Sequence, residues 1–180
     1  ELFFLMTSDS DGFNRWNSSQ MLSTEIIESM LEPYRSGTRL VLPKLLTDAF
    51  ANVLDAAISD SSLDKAMLAQ LLSLPVLGAL IEQSIEADVI GLHSVREFLL
   101  NTLATEHKDK FAEVYELTED HSDYTSDAES IAKRSLRNLS LNFLVRSGDE
   151  GWINRCYQQY CDADNMTNQS AALRSLVNSK

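Results

Sequence analysis

Apolar residues recur along this chain at intervals of three and four, in blocks separated by short polar stretches rich in Asp, Ser, Gly and Pro. That period places side chains on one face of a helix. The strongest block runs from Ser126 to Ser147. Ala132, Leu136, Leu139 and Phe143 follow one another at spacings of four, three and four, while Leu141, Leu144 and Val145 widen the apolar sector until little of the second half can face water. Ser126, with Glu129 three residues later, predicts a capping box at its start, and Gly148 predicts a left-handed cap at its end. A buried helix is expected here, with the rest of the chain arranged around it.

In chain order, Leu2 to Met6 predicts a first short helix. Because the chain opens at Glu1 without an initiator methionine, it reads as a piece cut from something longer. The next helix is expected from about Gly12 to Glu32, with Trp16, Ser19, Leu22, Ile26 and Met30 on one face and Pro33 stopping it. A connector containing Gly37 leads to Pro43, in the first turn of a helix whose stripe is Leu46, Phe50, Val53, Leu54, Ala57 and Ile58. The polar turn from Ser59 to Ser62 offers several N-caps for a short helix carrying Met67, Leu68, Leu71 and Leu72, and Pro75 opens another carrying Val76, Leu77, Leu80 and Ile81. Asp88 is the candidate cap of a longer segment with Leu92, Val95, Leu99 and Leu103, which continues, with an interruption, through Phe111, Val114 and Tyr115. Beyond Gly148, one helix carries an aromatic face of Trp152, Cys156, Tyr157 and Tyr160. Asn165 then caps a last one with Ala171, Ala172, Leu173, Leu176 and Val177.

No stretch alternates at period two with hairpin turns, so the class is all-α. Short connectors imply that successive helices pair. Residues 1–180 are expected to form one helical domain, an irregular superhelix or bundle of about eight to ten paired antiparallel helices, with no fixed-period repeat to name a standard repeat type.

Charge narrows the partners. A formal net charge of -12 makes phosphate backbones and anionic lipid surfaces unfavourable neighbours, so neither nucleic acid nor membrane is an expected partner. The apolar runs are far shorter than the roughly 20 residues that cross a bilayer. The two cysteines, Cys156 and Cys161, provide no disulfide framework, and five residues apart on a helix they point about 140° apart. Ordinary thiols in a reducing, cytoplasmic compartment are the expectation.

Candidate chemistry is sparse. His93, His107 and His121 lie fourteen residues apart, and none belongs to an H-E-x-x-H pair that would set two imidazoles around zinc. His93 precedes Glu97 by four, a spacing suited to a contact along one helix face. No G-x-S-x-G elbow, phosphate-binding loop or dinucleotide fingerprint is present. Seven acids without a single Lys or Arg lie between Glu113 and Glu129, but they lack the alternating ligands and central glycine of an EF-hand, so a solvated helix end and loop is expected rather than a calcium site. Lys133, Arg134 and Arg137 form the one basic cluster that could grip an anion. The acids just upstream make a structural ion-pair network the preferred reading. No catalytic, cofactor-binding or metal-binding residue is assigned.

The wording of several segments carries a resemblance. Phe13-Asn14-Arg15-Trp16, Asp48-Ala49-Phe50, Leu72-Ser73-Leu74-Pro75 and Leu103-Ala104-Thr105-Glu106 occur in an order that resembles the start of the C-terminal helical domain of the bacterial aminopeptidase N group, gluzincin-type zinc metallopeptidases. The most specific elements are Ile131-Ala132-Lys133-Arg134-Ser135-Leu136-Arg137-Asn138 and Asn165-Met166-Thr167 followed by Ala171-Ala172-Leu173.

The resemblance implies a parent enzyme that binds zinc through H-E-x-x-H and a downstream glutamate, recognises a substrate α-amine through G-x-M-E-N, and removes N-terminal residues from short peptides. None of these motifs is present here. The implied partners are the catalytic domain of the same chain and the parent's short peptide substrates, zinc belonging to the parent alone. This segment would supply part of a wall or lid of the substrate chamber. It would stop before the family's domain does, leaving an apolar face without its next helical layer. The competing expectation is a free-standing helical scaffold that binds another protein through a groove.

Overall fold

The computed structural model describes residues 1–120 and 124–179. Among them are eleven helical segments: α1 (Leu2–Ser8), α2 (Gly12–Ser29), α3 (Leu31–Arg35), α4 (Lys44–Ser59), α5 (Lys65–Leu71), α6 (Leu77–Gln83), α7 (Val89–Glu106), α8 (Lys108–Leu117), α9 (Ala128–Arg146), α10 (Glu150–Asp162) and α11 (Met166–Val177). The all-α expectation holds. Neighbours in sequence pair as α1 with α2, α8 with α9 and α10 with α11, while α9 also packs against α5 and α7.

Helix α9 is central because its second half cannot face water. Leu136, Leu141, Phe143, Leu144 and Val145 are all buried, each worth on the order of 1.5–3 kcal/mol relative to exposure. Phe143 is the junction. Its ring stacks on Phe111 of α8, centroids 4.3 Å apart, and receives Phe50 of α4 edge-on at 6.1 Å. The consecutive helices α8 and α9 and the distant α4 are thereby joined through one ring, in the arrangements that the aromatic quadrupole favours.

Helix ends follow local chemistry, with several corrections to the sequence reading. The cap of α9 is Asp127, not Ser126: its carboxylate accepts from the Ser130 amide at 3.0 Å and from the Thr125 hydroxyl. Glu129 therefore makes no capping box and pairs with Lys133 instead. Gly148 has φ +77°, as a left-handed cap requires. Pro33 does not stop α2. That helix ends at Ser29, and Pro33 occupies the first turn of α3, where the missing amide proton has no helical partner to lose. Asp64, beyond the Ser59 to Ser62 turn, caps α5. Asp88 and Asn165 cap α7 and α11 as expected. On α10, Cys156 is buried and Trp152 and Tyr160 pack on the core, but Tyr157 turns outward.

The interruption between α7 and α8 falls at His107, which is buried, with an Nε2 that has no hydrogen-bond partner among the described residues. Burial pushes its pKa below the ordinary value; Glu106 and Asp55 oppose the shift, Lys110 adds to it, and a contact with the Thr47 backbone opposes it. A histidine neutral when folded binds its proton more readily when unfolded. Its contribution to stability is therefore full above its unfolded pKa of about 6.5 and declines as pH falls below that value.

Two measurements check these assignments. Phe143→Ala should cost about 3–5 kcal/mol in denaturant unfolding, since it opens a cavity between α4, α8 and α9; a loss below about 1 kcal/mol would show that the junction carries little. Stability measured from pH 7.5 to 5 should fall less steeply in His107→Leu than in the parent chain, and parallel curves would refute the histidine's contribution.

Candidate functional site

The basic cluster of α9 is spent on structure. Lys133 pairs with Glu129 at 3.1 Å, one turn away. Arg134 donates to the Thr125 carbonyl at 2.7 Å and lies over the Tyr124 ring. Arg137 donates to the Tyr115 carbonyl at 2.7 Å and to Glu119 at 3.2 Å, with its guanidinium 3.8 Å from the Tyr115 ring centre. Arg155 approaches the same ring and forms a two-pronged pair with Glu116. Tyr115 is thus a buried plate between α8, α9 and α10, stabilised by its ring contacts with both guanidiniums and with the edge-on Trp152.

The described acids of the run from Glu113 to Glu129 are exposed, as expected of a solvated helix end and loop, and several of them also have partners. Glu116 and Glu119 hold Arg155 and Arg137, Asp127 caps α9, and Glu129 holds Lys133. Hydrogen bonds from Thr125 and Ser130 hold the Asp127 carboxyl far below the usual carboxylate range.

The remaining candidates do not converge. His121 lies outside the described residues. His93 is exposed, and Glu97 pairs with Arg146 rather than with it. Cys156 is buried, its thiol pushed up to about 11 by desolvation, while Cys161 is exposed. Among the described residues no three His, Cys, Asp or Glu side chains come together as zinc would require.

What the structure does assemble is a groove of about 880 Å³ whose walls come from the end of α5 and from α7, α9 and α11. At its base are Arg96, Glu97 and Arg146. Arg146 donates to Glu97 at 2.7 Å, to Asn101 at 3.3 Å and to Asn142 at 3.2 Å. Arg96 donates through Nε to the Pro75 carbonyl at 2.7 Å, and its Nη1 stands 3.6 Å from Glu97. Burial draws the Arg96 pKa down, an effect Glu97 opposes and the like charge of Arg146 reinforces. One wall carries an amide seam in which Asn138 donates to Asn168, Gln159 donates to Asn138, and Asn142 donates to Ser175. The sequence reading missed this site. Arg96 and Arg146 stand fifty positions apart on different helices, and no spacing rule joins them.

The chain matches, over residues 1–180, the family described as "Domain of unknown function (DUF3458_C) ARM repeats". It is 35% identical over 177 residues to Aminopeptidase N of Escherichia coli strain K12, covering 98% of this chain and 20% of that protein. It is 27% identical to Aminopeptidase N of Caulobacter vibrioides, with 97% of this chain and 20% of that protein covered. Among solved structures it resembles Legionella pneumophila aminopeptidase A in complex with aspartic acid, with a TM-score of 0.79 and 27% identity, covering 98% of this chain and 21% of that one. The chain therefore spans about a fifth of the length of the relatives it matches. A repeat architecture without a legible sequence period is consistent with helices that differ as widely in length as α3 and α9. With the match running end to end, the chain belongs to the DUF3458_C ARM-repeat family, as the C-terminal helical domain of aminopeptidase N.

Proposed function

We propose that this domain is a non-catalytic part of a zinc-dependent cytoplasmic aminopeptidase that removes N-terminal residues from short peptides, and that it forms part of the wall or lid of the substrate chamber. The observation that carries the reading is the end-to-end match to about a fifth of two aminopeptidases N, which leaves most of such a protein to supply the chemistry. The domain's own make-up supports a passive role. Its basic cluster is tied to neighbouring helices, and the H-E-x-x-H and G-x-M-E-N elements implied by the resemblance lie outside this sequence. A wall needs shape and stiffness, which the stacked helices around α9 provide.

The decisive test is the reading frame around this chain together with its activity. An upstream H-E-x-x-H in the same frame is the expected result, whereas an independent start and stop at these ends would favour the free-standing scaffold. The isolated chain should not hydrolyse alanyl substrates with zinc added; activity that co-purifies with the folded chain after contaminating peptidases are removed would sink the proposal. In the intact enzyme, Arg137→Ala should lower unfolding free energy by about 1–3 kcal/mol through lost charge-assisted contacts. Its kcat/KM well below the unfolding temperature should stay within about twofold of the parent, under 0.5 kcal/mol. A large activity loss in the stable variant would give Arg137 a part in the chemistry.

A further inference from the structure

The groove between α7, α9 and α11 holds more positive charge than its own carboxylates balance. Arg96, Arg146 and Arg174 line it together with His93, and Glu97 is the one Asp or Glu among its lining residues. In a chain of net charge -12 this is a local inversion. Arg146 takes the closer contacts to Glu97. Arg96 is less well served: its Nε donates to the Pro75 carbonyl, its Nη1 forms only a longer ion pair with Glu97 at 3.6 Å, and no hydrogen bond reaches either terminal nitrogen among the described residues. Its side chain is 20% exposed and the Arg146 side chain 11%, so both guanidiniums are recessed rather than waving in solvent. Two such cations sharing one acid repel each other, and burial strengthens the repulsion by lowering the effective dielectric. Arg174 has no ion pair among the described residues and stands on the opposite wall, on α11.

We infer that this groove is a binding site for the C-terminal carboxylate of a peptide, with the under-satisfied guanidinium of Arg96 as its anchor. A planar carboxylate matches the two terminal nitrogens of a guanidinium and supplies the missing counter-charge. A volume of about 880 Å³ accommodates a short peptide. The walls suit a peptide behind that carboxylate. Val76 and Met166 are exposed apolar groups at the rim, and Gln70 adds an exposed side-chain amide. A chain end fits a recessed anchor better than an internal Asp or Glu does, because an internal residue must bring two flanking backbone segments into the same space. The inference stands on this groove alone and does not depend on the peptidase reading.

The test uses the intact polypeptide that carries this domain and N-acetylated probes, whose blocked amine protects them from removal of the first residue. By titration calorimetry, N-acetyl-trialanine should bind about tenfold or more tighter than its C-terminal amide, the discrimination expected of one charge-assisted contact. Arg96→Gln should bring the acid down to the affinity of the amide, and Arg174→Gln should weaken the acid selectively. Because Arg96 also holds the Pro75 carbonyl, thermal unfolding accompanies each variant. A photo-crosslinking probe, N-acetyl-benzoylphenylalanyl-dialanine, should label Met166 or Val76, and this readout stands even where Arg96→Gln does not fold. Equal binding of acid and amide, no binding of either, an acid preference that survives in folded Arg96→Gln, or labelling confined to other surfaces would each overturn the site. Binding of N-acetyl-alanyl-glutamyl-alanine amide as tight as that of the free acid would overturn its assignment to a chain end.

Discussion

The enclosure of α9 is the constraint on which the remaining structure depends. Phe143 meets Phe111 and Phe50 at one point, so α4, α8 and α9 take their places together. A helix enclosed in this way must satisfy its polar side chains internally, because an unpaired polar group away from water is costly. Ser140 bonds back to the Leu136 carbonyl, Asn138 and Asn142 tie to α11, and Arg137 and Arg146 reach carbonyl, amide and carboxylate partners on other elements. Arg137, Asn138, Asn142 and Arg146 thus each specify a neighbour's position as well as a contact. Leu side chains alone would permit many rotations of the surrounding helices; directional partners select among them.

Charge is distributed with the same economy. Among the acids preceding α9, Asp127 caps a helix and Glu116 and Glu119 each hold an arginine. Exposed pairs such as Lys133 with Glu129 contribute little individually. The buried-ring arrangement at Tyr115 matters more, because it combines stacking, hydrogen bonds and partial desolvation in one place. The groove base departs from this balance, with two recessed guanidiniums and one carboxylate. Helical layers need no such surplus for their own cohesion, which makes the surplus informative about a ligand.

Much of the fold was legible locally. The face Leu46, Phe50, Val53 and Leu54 is buried as its period predicts, Asp88 and Asn165 cap the helices assigned to them, and Gly148 takes the left-handed conformation. Where the reading failed, two local solutions were available and the chain took the other. Asp127 displaced Ser126 as cap because an ionised oxygen is the stronger acceptor and Thr125 and Ser130 both converge on it. Pro33 was tolerated because the helix had already broken at Met30. The groove was illegible for a different reason: its residues come from α5, α7, α9 and α11, and no local pattern records which arginine will face which.

Sequence by itself determined the helical class, the caps at Asp88, Asn165 and Gly148, and the buried face of α9, since these follow from periodicity and capping within a few residues, where the chain's own geometry sets the distances. Its wording also pointed to the family. Only the tertiary structure decided that Lys133, Arg134 and Arg137 are consumed by carboxylate, carbonyl and ring partners while Arg96 and Arg146 share a single carboxylate. The physical reason is that a charge acquires its role from what is packed against it. That neighbour is chosen by burial across the whole domain, not by residues adjacent in the chain.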